Sequence, residues 1–156
     1  MIVLAIDPGV ERFGFALLEK VNGTIRYISS GVIVTKKTLS HAKRVGQIYS
    51  ELLPLLKKYR PKQIVFERLF FSKNVTTAIA VAQVQGIVYL TAFQNNIPAF
   101  EIAPNTIKSV VTGYGQADKK AVQKMVEMQL TLPKRKRLDD EYDAIACGYA
   151  YLLQER

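Results

Sequence analysis

The sequence contains little that would suit a secreted protein and few acidic residues. Its single cysteine, Cys147, cannot form an intrachain disulfide, which excludes a disulfide-stapled fold and fits a reducing compartment. Aspartate and glutamate total 13 against 22 lysines and arginines, giving a net charge of +9. Such an excess predicts a polyanionic partner, either nucleic acid or an anionic membrane surface. The 156 residues contain no repeat, low-complexity tract or linker, so we predict one domain over residues 1–156.

Long uninterrupted apolar runs are also missing. A membrane-spanning helix needs about 20 apolar residues. The longest candidate, Val75 to Phe93, is interrupted by Gln83, Gln85 and Gly86. No basic leader precedes the first apolar run, which Asp7 ends too early for a secretory signal. We therefore expect a cytoplasmic protein with no membrane partner, which leaves nucleic acid as the polyanion.

The periodicity of apolar residues predicts the element order β-β-β-α-β-α-β-α-α-α. Residues 2–7, 13–18 and 24–34 are predicted strands, the last two joined by a tight turn at Val21-Asn22-Gly23. A meander followed by βαβαβ predicts an α/β fold, with a mixed five-stranded sheet and helices on both faces. The other predicted elements are a helix over about 39–59 with a kink or break at Pro54, a strand over 63–67, a helix from Asn74 to about Asn95, a strand over 99–103, a short helix opened by Pro104, a helix started by Asp118 or a neighbour, and a final helix over about 140–153.

The helix predicted over 74–95 has no polar face. Its large residues include Ile79, Val84, Leu90 and Phe93, with alanines between them. A helix that is apolar all round is buried on both sides. One side can cover the sheet, and in a small domain the other predicts contact with a second copy of the protein. The alternative is a central helix enclosed within one domain.

Two acidic residues end strands that are otherwise apolar. Asp7 follows IVLAI and Glu67 follows QIVF. If these strands pair in parallel through a right-handed crossover, their carboxyl ends face one crevice. Asp140 and Asp143 lie three apart, on one face of the final helix. If that helix starts at the same crevice, four carboxylates converge and predict a site for divalent cations such as Mg²⁺.

Each acid also has an ordinary structural explanation. Asp7 precedes Pro-Gly and could start a turn, and Glu67 could serve solubility at a strand end. Asp139 or Asp140 could cap the final helix. Asp139 could also pair with Asp143 at an i, i+4 spacing, so the third acid of the cluster stays open between Asp139 and Asp140.

Four segments carry these acids and their surroundings: IDPGVERFGFA (6–16), IVFERLFFSKN (64–74), VVTGYGQADKKAVQKMV (110–126) and DDEYDAIA (139–146). In order and spacing they resemble the motifs of RuvC-type Holliday junction resolvases, over the whole chain. The resemblance implies a ribonuclease-H-like fold, a homodimer and paired, metal-dependent nicks in opposing strands of a four-way DNA junction, in homologous recombination and DNA repair. It also implies a branch-migration helicase as a partner.

The resemblance further implies residue roles. Asp7, Glu67, Asp140 and Asp143 match the metal-binding acids, which would hold two Mg²⁺ ions, with Mn²⁺ able to substitute. Further matches are Lys108 and Lys119 beside the scissile phosphate, with Lys120 as the alternative to Lys119 if the register shifts by one, and Phe70 stacked on an unpaired base.

The loop Lys134-Arg135-Lys136-Arg137 precedes the acidic helix directly. A charge run of this kind is often a solvated loop, but here we predict contact between Arg135 and the DNA backbone. Three other functions compete with junction cleavage: cleavage of RNA–DNA hybrids, nucleotide binding by an actin-like ATPase domain, and DNA binding without catalysis. The first would suit a monomer, and the second would require a further domain.

Overall fold

The computed structural model describes residues 1–69 and 75–155. Within these residues the element order is the predicted one. The strands are β1 (Ile2–Asp7), β2 (Arg12–Val21), β3 (Thr24–Val34), β4 (Gln63–Glu67) and β5 (Ala99–Ile102). The helices are α1 (His41–Tyr59), α2 (Val75–Gln94), α3 (Pro104–Thr112), α4 (Lys119–Gln129) and α5 (Asp139–Gln154).

The sheet is mixed and five-stranded, as predicted, in the order β3-β2-β1-β4-β5. The central strand β1 pairs antiparallel with β2 and parallel with β4. In the second of these pairs Ile6 lies beside Phe66. Asp7 and Glu67, each one residue further on, therefore end neighbouring strands at one edge of the sheet.

Helices cover both faces of the sheet, which confirms the predicted α/β class. On one face Val3, Ala5 and Val65 point into a core shared with α3, α4 and α5. On the other face Leu4 and Ile6 pack against α1 and α2. The alternation along β1 follows from the pleat, which turns successive side chains to opposite faces.

Helix α5 approaches the sheet closely because a glycine stands at the contact. A Cβ atom on Gly148 would lie 2.7 Å from the Cβ of Ala5 and 3.0 Å from Cδ1 of Leu18. Both distances are too short for carbon atoms, so a larger residue would push α5 away from β1 and β2. The absence of a side chain at Gly148 thus sets the height of α5 above the strand that carries Asp7.

Among the residues that the structure describes, only one side of α2 is buried. Val84 and Val88 are fully buried against the sheet, whereas Ile79, Leu90 and Phe93 are exposed. The alternative of an enclosed central helix is therefore wrong. By length and composition α2 could cross a membrane, but a core helix passes the same test, and its buried side lies in the core of the fold.

Several boundaries differ from the predicted ones. Strand β2 extends to Val21 because it pairs with β3 up to the turn, where Asn22 and Gly23 take positive φ angles. Helix α1 begins at His41 rather than near residue 39, capped by Ser40. It continues through Pro54, so the helix does not break there. The predicted cap at Asn74 lies outside the described residues.

Candidate active site

A cavity of about 370 Å³ opens at the carboxyl ends of β1 and β4. We call it the acid cavity. The sheet register brings Asp7 and Glu67 to it, and the N-terminal part of α5 adds Asp140 and Asp143. Its other lining residues are Pro104, Ile107, Lys108, Lys119, Val122 and Ala146. The four acids selected from the sequence therefore line one cavity.

Asp7 is the most perturbed of the four acids. Burial raises its pKa to about 8, with further upward contributions from the negative charges of Asp143, Glu67 and Asp140 and an opposing one from Lys119. A carboxylate in these surroundings either takes up a proton or gains a cation. Asp7 is therefore the group whose ionised form gains most from a bound cation.

Glu67 occupies a similar environment at the end of β4. Burial raises its pKa, the charge of Asp143 adds to this, and Lys119 and Lys108 oppose it. The side-chain amide of Gln85 in α2 donates a hydrogen bond of 3.0 Å to the main-chain carbonyl of Glu67. Gln85 is buried, so this polar residue of an apolar helix fixes the strand end that carries the acid. In the sequence Gln85 indicated only an interruption of an apolar run.

The start of α5 places Asp140 in the acid cavity and leaves Asp139 outside its lining. Neither aspartate caps the helix, because Leu138 occupies the N-cap position. Asp139 instead accepts a hydrogen bond of 3.2 Å from the side-chain amide of Gln123. Negative side chains in the first turn also interact favourably with the helix dipole.

Asp140 and Asp143 are each paired with a cationic side chain of the protein. Nζ of Lys119 donates a hydrogen bond of 2.7 Å to Oδ2 of Asp143. Nη1 of Arg12 lies 3.3 Å from Oδ2 of Asp140. Burial lowers the pKa of Lys119, but the hydrogen bond and charge of Asp143, together with Asp7, raise it, and the net change is upward. Burial raises the pKa of Asp143, and Lys119 opposes this.

The remaining lysines differ in their relation to the cavity. Lys108 in α3 lines it. Lys119 is the first residue of α4, whose N-cap Asp118 accepts a hydrogen bond from the amide of Ala121. Lys120 is exposed and is not part of the lining, so the structure places Lys119, and not its neighbour, beside the acids.

The donor set suits a hard divalent cation. All four acids offer carboxylate oxygens, which are the ligands that Mg²⁺ prefers. Within residues 1–69 and 75–155, no three histidine, cysteine, aspartate or glutamate side chains already form a compact metal cage. Asp140 and Asp143 instead face Arg12 and Lys119. Chemically the site fits such a cation, which would compete with two side chains of the protein for the same oxygens.

The two arginines of the basic loop fold back onto the protein. The guanidinium of Arg135 forms an ion pair with Glu141, whose side chain is 3% exposed, and donates a hydrogen bond of 3.2 Å to the carbonyl of Ser30. The Arg137 side chain is buried between the rings of Tyr27 and Tyr142. Arg135 therefore ties the loop to β3 and α5, a role that the sequence did not indicate. Phe70, the predicted stacking residue, lies outside the described residues.

Comparisons with known proteins agree over nearly the whole chain. A family model described as Crossover junction endodeoxyribonuclease RuvC matches residues 3–150. The relative of that name from Thermosipho melanesiensis is 45% identical over 156 residues, which are 100% of this chain and 99% of the relative. The one from Thermotoga maritima is 40% identical over 154 residues, 99% of this chain and 92% of the relative. A solved structure described as T. thermophilus RuvC in complex with Holliday junction substrate matches with a TM-score of 0.90 at 28% identity, covering 98% of this chain and 93% of that one.

Proposed function

Since this chain belongs to the RuvC family of crossover junction endodeoxyribonucleases, we propose that it resolves four-way (Holliday) DNA junctions by paired, symmetric hydrolysis of phosphodiester bonds. The observation that carries the proposal is the convergence of Asp7, Glu67, Asp140 and Asp143 on one cavity of a strongly basic protein. Basic charge supplies affinity for the DNA backbone, and the acids supply a cation site at the point of cleavage.

The four acids would hold two Mg²⁺ ions, with Mn²⁺ able to substitute. When bound, such ions stabilise charge on the attacking and leaving oxygens of a phosphodiester. Lys119 carries its proton at Nζ. If the carboxylate of Asp143 binds a metal ion in place of Lys119, the N–H group of Lys119 can donate to a phosphate oxygen. Lys108 lines the same cavity and can contribute in the same way. This assignment makes Lys119 both the partner of Asp143 before metal binding and a contact of the substrate after it.

The function is tested by nicking of an immobile four-way DNA junction, alongside a linear duplex and an RNA–DNA hybrid, with and without Mg²⁺. We expect symmetric cuts in opposing strands, confined to the junction and dependent on Mg²⁺. Cleavage of the hybrid alone would contradict the proposal and would keep the cation site for a ribonuclease. If folded protein cleaved none of these substrates, the assignment of the four acids to a catalytic cation site would be wrong as well.

Metal binding can be measured without substrate. A ligand at ten times its dissociation constant stabilises the folded state by about 1.4 kcal/mol, which for a chain of this size raises the melting temperature by roughly 3–6 °C. We expect Mg²⁺ to produce such a shift in the wild-type protein and in Glu51→Gln, a control on the exposed surface of α1. The shift should be lost in Asp7→Asn. An equal shift in all three proteins would place the ion elsewhere.

We also propose that the protein is a homodimer formed through the outer side of α2. Ile79, Leu90 and Phe93 are 55%, 48% and 81% exposed and belong to one stripe along the helix, with Ala82 and Gly86 at its centre. Small residues between large ones allow two helices to approach closely. An apolar stripe of this length also marks an interaction surface. Two copies would provide two acid cavities for two opposing strands.

The dimer predicts a sharp effect of charge on this stripe. Phe93→Asp should convert the dimer into a folded monomer, because it places a carboxylate in an apolar interface while disturbing little of the chain's own core. Light scattering after size exclusion measures the mass, and circular dichroism measures the fold. The matched control is Leu153→Asp, which adds the same charge at an exposed leucine of α5. Equal masses for Phe93→Asp and wild type would contradict this interface.

Further proposals concern the setting in which the protein acts. They are a cytoplasmic location, a role in recombination and DNA repair, and a branch-migration helicase as partner. Phe70, Lys108, Lys119 and Lys120 remain proposed DNA contacts. Arg135 also remains one, although its guanidinium is engaged by Glu141 and Ser30. A single domain over residues 1–156 is likewise proposed.

A further inference from the structure

A second cavity, of about 560 Å³, opens beside the acid cavity. We call it the flanking cavity. The two share part of their walls, because Lys119 and Asp140 line both. A DNA strand whose scissile phosphate lies in the acid cavity can continue past this shared wall. The flanking cavity is the adjoining space in which the next nucleotide of that strand could lie.

Cationic side chains reach the flanking cavity from three elements. Arg12 comes from the start of β2, Arg44 from the first turns of α1, and Lys119 from the start of α4. His41 also lines it, at the first position of α1, where the helix dipole favours an anion. The acidic residues of the lining are Glu11, Asp139 and Asp140. If a divalent cation takes up the charge of Asp140, the balance of the wall becomes positive.

Arg44 is held in place at this wall. Its Nε donates a hydrogen bond of 2.8 Å to Oγ1 of Thr35. Thr35 is 2% exposed and its hydroxyl in turn donates to the main-chain carbonyl of Val10. The guanidinium is therefore fixed by a buried hydroxyl and not by a carboxylate, so its positive charge is not neutralised by this contact.

Arg12 lines the flanking cavity and faces Asp140, which lines both cavities. Its Nη1 lies 3.3 Å from Asp140, and its side chain is 47% exposed. A contact of this length, made by a half-exposed guanidinium, holds Arg12 only weakly. A divalent cation bound by Asp140 would take over the carboxylate that Arg12 now faces. A planar guanidinium with several donors would then find its best partner in a phosphate, which it can bind in bidentate fashion.

We propose that the flanking cavity binds a phosphate adjacent to the scissile one in the same DNA strand, with Arg12 as its main contact and Arg44 as a second fixed positive charge. In the metal-free protein Arg12 compensates the charge of Asp140, and with metal and DNA bound it holds the neighbouring phosphate. The inference rests on the proposed function, because it takes a DNA strand in the acid cavity as its premise. It adds a residue that aligns the strand for cleavage.

A double-mutant cycle tests the contact directly. Arg12→Ala is combined with junctions in which a methylphosphonate removes the charge of one phosphate on either side of the cleavage point. Binding is measured by fluorescence anisotropy with Ca²⁺ in place of Mg²⁺, after verifying that no product forms during the measurement. We expect Arg12→Ala to weaken binding of the unmodified junction by about 10-fold and to lower the salt dependence by about one phosphate contact.

The expected signature is non-additivity at one position. A methylphosphonate at the phosphate that Arg12 contacts should weaken binding by the wild-type protein. The same modification should leave the affinity of Arg12→Ala for the junction unchanged. Arg12→Lys, which keeps the charge and loses the bidentate geometry, should bind with intermediate affinity and tests the contact if the alanine variant folds poorly. Arg26→Ala, an equal loss of charge at the other end of the sheet, should show additive losses at both positions.

Additive losses for Arg12→Ala at both positions, or wild-type affinity in this variant, would overturn the inference. The proposed function fails differently, because it is overturned when the wild-type protein neither binds nor cuts a junction. Wild-type cleavage of the junction together with an additive cycle would reject only the flanking phosphate site.

Discussion

Asp7→Asn is expected to reduce junction cleavage by about 10³-fold or more, a loss of roughly 4 kcal/mol in transition-state stabilisation, while junction binding persists. Asp7 stands at the end of the central strand, beside Glu67, and its pKa responds to the charges of Asp143, Glu67 and Asp140. An amide at this position removes one negative ligand from the middle of the acid set. We expect most of the binding to come from basic residues elsewhere, which the substitution leaves in place.

Single-turnover cleavage of a junction, with enzyme in excess, measures the first part of this prediction, and anisotropy with the same junction measures the second. Glu51→Gln is the matched control, since it makes the same chemical change on the surface of α1, away from the acid cavity. Near wild-type cleavage by Asp7→Asn would contradict the assignment of the acid cavity as the active site. Loss of both binding and cleavage in a protein that remains folded would assign Asp7 a role in holding DNA.

The same substitution should stabilise the metal-free protein at neutral pH. The folded-state pKa of Asp7, about 8, lies above the usual value for an aspartate, so the folded form favours the protonated carboxyl. Below about pH 4 Asp7 is protonated in both the folded and the unfolded state, so its burial does not lower the free energy of unfolding through ionisation. As the pH rises towards 8 the unfolded state loses this proton more readily than the folded state, and the free energy of unfolding falls. We expect the free energy of unfolding of Asp7→Asn to exceed that of the wild type by about 1–3 kcal/mol at pH 8 in EDTA, and by little at pH 4. Urea denaturation at the two pH values measures the difference.

The strand ends that build the site could be predicted from the sequence because the signals are local. Strands over 2–7 and 63–67 were bounded correctly because each is an apolar run that ends at an acidic residue, and the strand over 24–34 begins directly after the Asn22-Gly23 turn. The parallel pairing of β1 and β4 followed from the handedness of the crossover between them. Together these two features predict that Asp7 and Glu67 lie at one edge of the sheet.

The partners of the site residues could not be predicted, because they depend on tertiary packing. Arg12 and Asp140 are 128 residues apart and meet only when α5 lies across β2. In the sequence Arg135 is one member of a charge run, and only the fold reveals that Glu141 is buried beneath it. The residue type indicates that a charge exists, whereas its partner is decided by elements distant in sequence.

The uniformly apolar helix marks the same boundary between local and tertiary information. Its composition predicted that both sides of α2 would be covered. Residues 1–69 and 75–155 cover only the side that contains Val84 and Val88, and Phe93 stays 81% exposed. The composition of the helix thus indicated that both of its sides need a packing partner. It could not distinguish a partner within the chain from a second copy of the protein.

Gly14→Ala is expected to disable the enzyme through the placement of α5 rather than through its chemistry. Gly14 pairs with Asp7 across the sheet. A Cβ atom on Gly14 would lie 2.0 Å from the main-chain oxygen of Asp140 and 3.3 Å from Cβ of Asp7. Because the nearest atom, the oxygen of Asp140, belongs to the main chain, no side-chain rotation can relieve the clash. Helix α5 must therefore move outward to admit a methyl group. Overpacking of this kind costs about 1–3 kcal/mol of stability, and displacing catalytic groups by about 1 Å lowers the rate roughly 100-fold.

Gly46→Ala is the matched control, because a Cβ atom at Gly46 in α1 meets nothing within 4 Å. Alanine there should raise stability by up to about 1 kcal/mol through its better helix propensity and leave the cleavage rate unchanged. Thermal unfolding and single-turnover cleavage of both variants separate the contact at Gly14 from the general effect of adding a methyl group. If Gly14→Ala matched Gly46→Ala in both measurements, the close approach of β2 to α5 would not be what brings Asp140 to Asp7. If it lost cleavage while Mg²⁺ still raised its melting temperature as in the wild type, the acids would have kept the cation, and the loss would lie in aligning the DNA strand.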